Sequence, residues 1–212
     1  MKITKFGHCC LLIEEAGLRL LTDPGIFTVA AHSVVQNLNA IIITHEHADH
    51  FHLESLKEIL KLNPQVKIYT NKSVGALLQK EGINFMRVED GEIAMMGELK
   101  LEGFGSKHEE IYQDYGQVEN TSYFIGPRLF YPGDAFYAPN REVEILALPV
   151  VGPWMKISQA IEYAKKIRPK VAFPVHDGIL KNPALVHTPA EKYLKENGID
   201  FKPLLENGIL EI

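Results

Sequence analysis

Long hydrophobic runs are missing from this chain of 212 residues. None approaches the roughly 20 apolar residues that cross a bilayer, so no membrane span is expected. The N-terminal stretch MKITKFGHCCLLIEE has no long apolar segment followed by a small-residue cleavage site, which argues against a secretory signal. Cysteine is scarce. There are two, Cys9 and Cys10, and they are adjacent. Neighbours on one strand point to opposite faces, so they are poor partners for each other. They read as small buried residues in a reducing compartment, with a ligand role as the minor alternative, and the expected location is cytoplasmic. An excess of positive charge is also absent. The net charge is −5, which disfavours a protein that works by neutralising nucleic-acid phosphates. There is no low-complexity tract, charge block, short-period repeat or obvious linker, so residues 1–212 are taken as a single domain.

What the chain does have is apolar strands that end in polar residues. Lys2–Phe6, Cys9–Glu14 and Leu18–Leu21 read as short strands, followed by the break TDPG at Thr22–Gly25. Ala40–Ile43 is a strand, Leu53–Leu62 has helical spacing, Val66–Thr70 is a strand, Ser73–Lys80 a helix and Phe85–Val88 a strand. Glu92–Leu129 alternates as a β-meander. Ile157–Ile167 reads as a helix closed by Pro169, and Pro189–Asn197 as a last helix with Gly198 as its cap. This is an α/β (α+β) pattern of packed sheets with helices outside.

The segment ITHEHADHFH, Ile43–His52, crowds four histidines, one aspartate and one glutamate behind an apolar strand. His45 and His47 are two apart, which places both side chains on one side of an extended chain. Asp49 and His50 follow where a turn can aim them back. Further strand ends carry Asp23 (LLTDPG), His108 (LEGFGSKH), Asp134 (LFYPGDA) and His176 (AFPVHDG). Imidazole and carboxylate without thiolate suit zinc, manganese or iron in an open site. His45, His47, Asp49, His50, His108, Asp134 and His176 make seven candidate donors. That is too many for one tetrahedral ion and enough for two, with a carboxylate such as Asp134 able to bridge ions roughly 3.5–4 Å apart. His32, His52 and His187 read instead as caps or satisfied polar groups, His187 on the surface. Asp177 reads as a turn residue.

The motif THEHADH matches the HxHxDH signature of the metallo-β-lactamase fold superfamily, and His108, Asp134 and His176 follow in that family's order. Within it, KFGHCCLLIE, LLTDPG, LALPVVGPWMKISQAIEYAKKIRPK and VAFPVHDG resemble the compact metal-dependent hydrolases related to ascorbate-phosphate lactonase. The resemblance implies a four-layer αββα sandwich with metals at one edge. It implies one ion on His45, His47 and His108, a second on Asp49, His50 and His176, and Asp134 as the bridge. It also implies Asp23 orienting the histidine loop from behind and His8 near the substrate. The chain departs from the pattern at Ala135, where relatives often carry a hydroxyl, at Val151, where they usually show glycine, and in the segment after His108. These departures bear on the substrate.

The implied function is a metal-dependent hydrolase. It would use hydroxide bound at two divalent ions, zinc first and manganese or iron as alternatives, with Asp49 and Asp134 as the catalytic carboxylates. Two cations of about +4 against two aspartates and a hydroxide of about −3 leave the loaded site near +1. That favours an anionic lactone, ester or phosphoester as small-molecule partner. The alternatives are a phosphodiesterase or nuclease acting on nucleic acid, which would need a basic groove, and a non-catalytic metal-binding sensor. A homo-oligomer is left open.

Overall fold

The computed structural model describes residues 1–212. In chain order the elements are β1 (Lys2–Gly7), β2 (Cys10–Glu15), β3 (Leu18–Thr22), α1 (Val29–His32), β4 (Ala40–Ile43), α2 (Leu53–Leu62), β5 (Lys67–Thr70), α3 (Lys72–Lys80) and β6 (Met86–Arg87). There follow β7 (Ile93–Met96), β8 (Leu99–Phe104), β9 (Ser122–Ile125), β10 (Leu129–Tyr131), β11 (Ile145–Pro149), α4 (Ile157–Ile167), β12 (Val171–Val175), α5 (Ala184–Lys195), β13 (Asp200–Phe201) and β14 (Ile209–Glu211). One seven-stranded sheet runs β14-β1-β2-β3-β4-β5-β6 and the other β13-β12-β11-β10-β9-β8-β7.

Alternation decides how they pack. In β1 every second residue is buried, and Ile3 joins Leu11, Ile13, Leu20 and Ile42 against Tyr123, Ile125, Tyr131 and Phe173 of the other sheet. A core thus fills the space between the sheets. Strands β4 and β11 are buried on both faces. Their other faces take the helices. Leu56 and Ile59 of α2 and Val74 and Leu78 of α3 cover Ile41 and Ile43. Ala160, Ile161 and Ala164 of α4 and Ala190 and Leu194 of α5 cover Leu146 and Leu148. The result is the expected αββα sandwich. Cys9 and Cys10 are both free and buried, Cys9 in the inter-sheet core and Cys10 in the cluster on the helix side, on opposite faces as the strand period requires. No helix is long and apolar enough to cross a membrane.

Two features of this topology place the site. Strands β3 to β6 are parallel, and so are β10 to β13. The residues after β3, β4, β10 and β12 therefore leave their sheets in loops where side chains can converge.

One helix differs from its sequence reading. The last helix begins at Ala184, five residues before the expected Pro189, which lies inside it. The start signal is Asn182-Pro183, since the Asn182 side chain accepts the Ala184 amide at 3.2 Å. Proline there costs no donor, because the first helical N–H groups have no partner within the helix. The longer helix turns His187 inward with Ala190 and Leu194. His187 is buried, not on the surface.

Candidate metal centre

The loop after β4 is held from three sides. Gly25 lies so close to it that a Cβ there would meet the Asp49 carbonyl oxygen at 1.8 Å. The Ile26 amide donates to the Ala48 carbonyl at 2.8 Å and the His52 amide to the Pro24 carbonyl at 3.2 Å. The TDPG turn is thus the floor under the histidine loop. Asp23, fully buried, is the anchor. It accepts from the Thr44 amide at 2.8 Å, the Thr44 hydroxyl at 2.7 Å, the Tyr131 hydroxyl at 2.7 Å and His50 Nδ1 at 2.7 Å.

These bonds orient the rings. A carboxylate only accepts, so His50 carries a proton on Nδ1 and turns Nε2 into the site. The Thr44 hydroxyl spends its proton on Asp23 and so accepts from His45 Nδ1 at 3.0 Å. His108 Nδ1 donates to the Glu109 carbonyl at 2.6 Å. Three histidines therefore have Nδ1 engaged from behind and Nε2 facing inward, which is how an orienting partner prepares a metal ligand.

Those Nε2 atoms point into one space. The rings of His45, His47 and His108 stand 4.7 to 5.1 Å apart, centroid to centroid. Asp134 Oδ2 lies 3.3 Å from His108 Nε2 and 2.9 Å from His176 Nε2, while its Oδ1 lies 3.1 Å from His50 Nε2. Asp49 Oδ2 lies 3.4 Å from His176 Nε2 and 3.8 Å from His50 Nε2. One donor atom from each of His45, His47, His108 and Asp134 falls within 4.8 Å of the others, and so does one from each of Asp49, His50, Asp134 and His176. All seven residues singled out in the sequence meet in two groups that share Asp134. His8, Cys9, His50 and His176 satisfy the same distance. Burial, however, pushes the Cys9 thiol pKa up, which keeps it a neutral thiol.

The donors fit divalent cations by a test independent of any motif. His45 Nε2, His50 Nε2, His176 Nε2 and Asp134 Oδ1 are buried and have no hydrogen-bond partner. Four such orphans around one space are costly unless something with positive charge satisfies them. The electrostatics agree. Burial holds the His45 pKa well below its ordinary value and that of His8 down to about 4, so both rings stay neutral. Burial also opposes charge on His50 and His176, but the Asp134 carboxylate outweighs it and draws protons to them. Burial would raise Asp134 and Asp49, yet the facing imidazoles hold both carboxylates below the usual range. Two ionised carboxylates among imidazoles are a cation site by composition.

Backbone strain gathers here too. His8, Asp23 and His176 have φ of 45°, 37° and 65°, a region that side chains other than glycine seldom adopt. His8 Nε2 donates to Asp49 Oδ2 at 3.1 Å, so it touches a donor carboxylate directly.

Sequence reasoning missed two supports. Asn120 accepts the Asp134 amide at 3.0 Å and donates to the Pro132 carbonyl at 2.9 Å, fixing the turn that carries Asp134. Trp154 donates its indole N–H to Asp134 Oδ2 at 3.1 Å. Neither has a local signal, because each acts across the sheet edge. His52 is a satisfied polar group as expected, on Ser55 at 2.6 Å, whereas His32 meets Thr28 through Nδ1 at 3.0 Å but buries an Nε2 with no partner. Asp177 opens a turn as expected, its carbonyl accepting the Leu180 amide at 3.0 Å, but its side chain does more. It is buried and pairs with Lys5 and His187.

Residues 2–176 match the family model described as the beta-lactamase superfamily domain. The protein Rv0786c of Mycobacterium tuberculosis is 37% identical over 185 residues, 85% of each chain. A UPF0173 protein of Pyrococcus abyssi is 30% identical over 186 residues, 84% of each chain. A UPF0173 metal-dependent hydrolase of Methanocaldococcus jannaschii is 23% identical over 183 residues, covering 82% of this chain and 83% of the relative. Among solved structures, the metallo hydrolase Igni18 of Ignicoccus hospitalis shares the fold with a TM-score of 0.77 at 20% identity, over 100% of this chain and 98% of that one. By its matched domain and its relatives, the chain belongs to the beta-lactamase superfamily, as one of its metal-dependent hydrolases.

Proposed function

We propose that the protein hydrolyses a small anionic lactone, ester or phosphoester at a pair of divalent ions. His45, His47 and His108 would hold one ion, Asp49, His50 and His176 the other, and Asp134 would join both. The observation that carries this reading is the position of the Asp134 carboxylate, 3.3 Å from His108 Nε2 and 2.9 Å from His176 Nε2, among imidazole nitrogens with no other partner. Zinc is the first choice for such a donor set, with manganese or iron as alternatives. When bound, two such ions would lower the pKa of water towards about 7 and polarise a carbonyl or phosphoryl oxygen.

The chain's own groups do the positioning. Trp154 holds one Asp134 oxygen by its indole N–H, which fixes the carboxylate plane between the two histidine groups. His8 holds Asp49 in the same way from the opposite side. Asp49 is half-buried while His45, His50, Asp134 and His176 are buried, so a substrate approaches from the Asp49 and His47 side. Two divalent charges against two aspartates leave a local excess of positive charge, about +1 once a hydroxide is counted. An anionic substrate is thereby favoured although the whole chain carries −5. No serine or cysteine nucleophile is needed.

The test is metal analysis of the isolated protein together with a substrate panel. Protein loaded with zinc, manganese or iron is assayed on a lactone series, a bis-phosphodiester and a phosphomonoester. Two ions per chain and metal-dependent turnover of a lactone or ester are expected. Two ions with turnover of none of these would favour a metal sensor, and no bound ion would overturn the reading.

A further inference from the structure

Outside the metal centre the chain buries one more set of charged groups. Lys5 is 1% exposed and lies on β1. Its ammonium has three N–H donors, and three acceptors meet it: the Pro174 carbonyl at 2.8 Å, Asp177 Oδ1 at 2.5 Å and the Leu204 carbonyl at 3.1 Å. The second oxygen of Asp177 accepts from His187 Nε2 on α5 at 2.8 Å. Asp177 is buried as well. No reacting group is in contact with this set, so the hydrolytic chemistry does not account for it.

Its placement is specific. Pro174 and Asp177 bracket His176, and Lys5 binds both. His176 is also the residue whose backbone is turned into the left-handed region, φ 65°. Its amide is held by the His8 carbonyl at 3.1 Å. The segment therefore leaves β12 and reverses within two residues. In doing so it aims the His176 ring at Asp134 and Asp49 while Asp177 turns away from them into the core. A reversal of this kind needs an anchor on each side of the strained residue. Burial of a lysine and an aspartate is costly and is weak support for stability by itself.

We infer that Lys5, Asp177 and His187 are positioning residues that clamp the strained turn at His176 and so set the donor geometry on the Asp49–His50–His176 side of the centre. The inference rests on the metal reading of the site given above. His45, His47 and His108 are on other segments, so the clamp acts on one of the two groups and leaves the other alone.

Two variants test it by metal titration. Asp177→Asn keeps the shape but removes the charge facing Lys5. The double variant Lys5→Met with Asp177→Leu removes both charges and fills the space with apolar side chains, which separates stability from positioning. Each is checked for folding by thermal melting and then titrated with zinc and with cobalt(II), whose absorption reports ligand geometry. In both variants the ion on the His176 side should bind 10- to 100-fold more weakly, the range that loss of an orienting partner gives. The cobalt spectrum of that site should change, and the tight ion on His45, His47 and His108 should be retained. If Asp177→Asn does not fold, the double variant decides alone. A folded variant that binds two ions with unchanged affinities and spectrum overturns the clamp. Wild-type protein that binds no divalent ion overturns the metal reading instead, so the two failures are told apart.

Discussion

His50 donates its Nδ1 proton to Asp23 across 2.7 Å, with both side chains fully excluded from solvent. The same carboxylate also accepts from the Thr44 amide, the Thr44 hydroxyl and the Tyr131 hydroxyl. Through this one group β3, β4 and β10 are tied together and the histidine loop is aimed. Asp23→Ala leaves the Thr44 amide, the Thr44 hydroxyl and His50 Nδ1 without this acceptor, while the Tyr131 hydroxyl keeps the Cys9 carbonyl at 2.8 Å. Each costs about 1–3 kcal/mol when unsatisfied, so a loss on the order of 4 kcal/mol in stability is expected after partial relaxation. Metal affinity should fall by roughly 10- to 100-fold as His50 loses its orientation. Urea unfolding and metal titration check both, and wild-type metal affinity in a folded variant would contradict the role.

Gly25 is required for space. A methyl group there would lie 1.8 Å from the Asp49 carbonyl oxygen, a backbone atom that cannot move without the histidine loop. Gly25→Ala is expected to displace the turn carrying Asp49 and His50, lower the melting temperature and weaken metal binding. A variant with unchanged melting and stoichiometry would show that the loop can retreat at no cost.

Acid sensitivity has a contributor outside the centre. Burial, with a smaller effect from His52, depresses the His32 pKa from 6.5 to about 4. Below pH about 6.5 the unfolded chain takes up a proton on this residue and the folded chain does not until about 4. The stability it contributes is thus complete above pH 6.5, declines as pH falls to about 4, and is flat below. The expected loss is on the order of 3 to 4 kcal/mol, at about 1.4 kcal/mol per pH unit. Denaturant unfolding of wild type and His32→Gln between pH 7 and 4 tests this. The variant should lose less stability over that window, and parallel curves would remove His32 from the account.

Asp134→Asn tests the shared carboxylate. The amide keeps the size and the Trp154 contact but lowers the charge between His108 and His176. The variant should fold, retain one ion per chain and lose most turnover. Two ions at wild-type affinity would count against Asp134 as the group joining the two halves.

The sandwich and the meeting of the seven candidate donors are readable because their signals are local. HEHADH is contiguous, and each other donor ends an apolar strand, so period and turn chemistry mark it. What was not readable is held across sequence. Lys5 and Asp177 are 172 residues apart, and nothing near either one announces a buried pair. Asp177 therefore read as a turn residue. Trp154 and Asn120 act on Asp134 through geometry that only the assembled edge creates. The start of α5 was misplaced because Thr188-Pro189 imitates the start that Asn182-Pro183 makes. That single shift changed His187 from a surface residue to a buried one.

The central claim is that Asp134 joins two cation positions. Anomalous X-ray diffraction from crystals grown with zinc tests it most directly. Two peaks should flank the Asp134 carboxylate, one about 2.0–2.1 Å from the Nε2 atoms of His45 and His108 and the other at that distance from those of His50 and His176. A single peak, or peaks away from Asp134, would contradict the account.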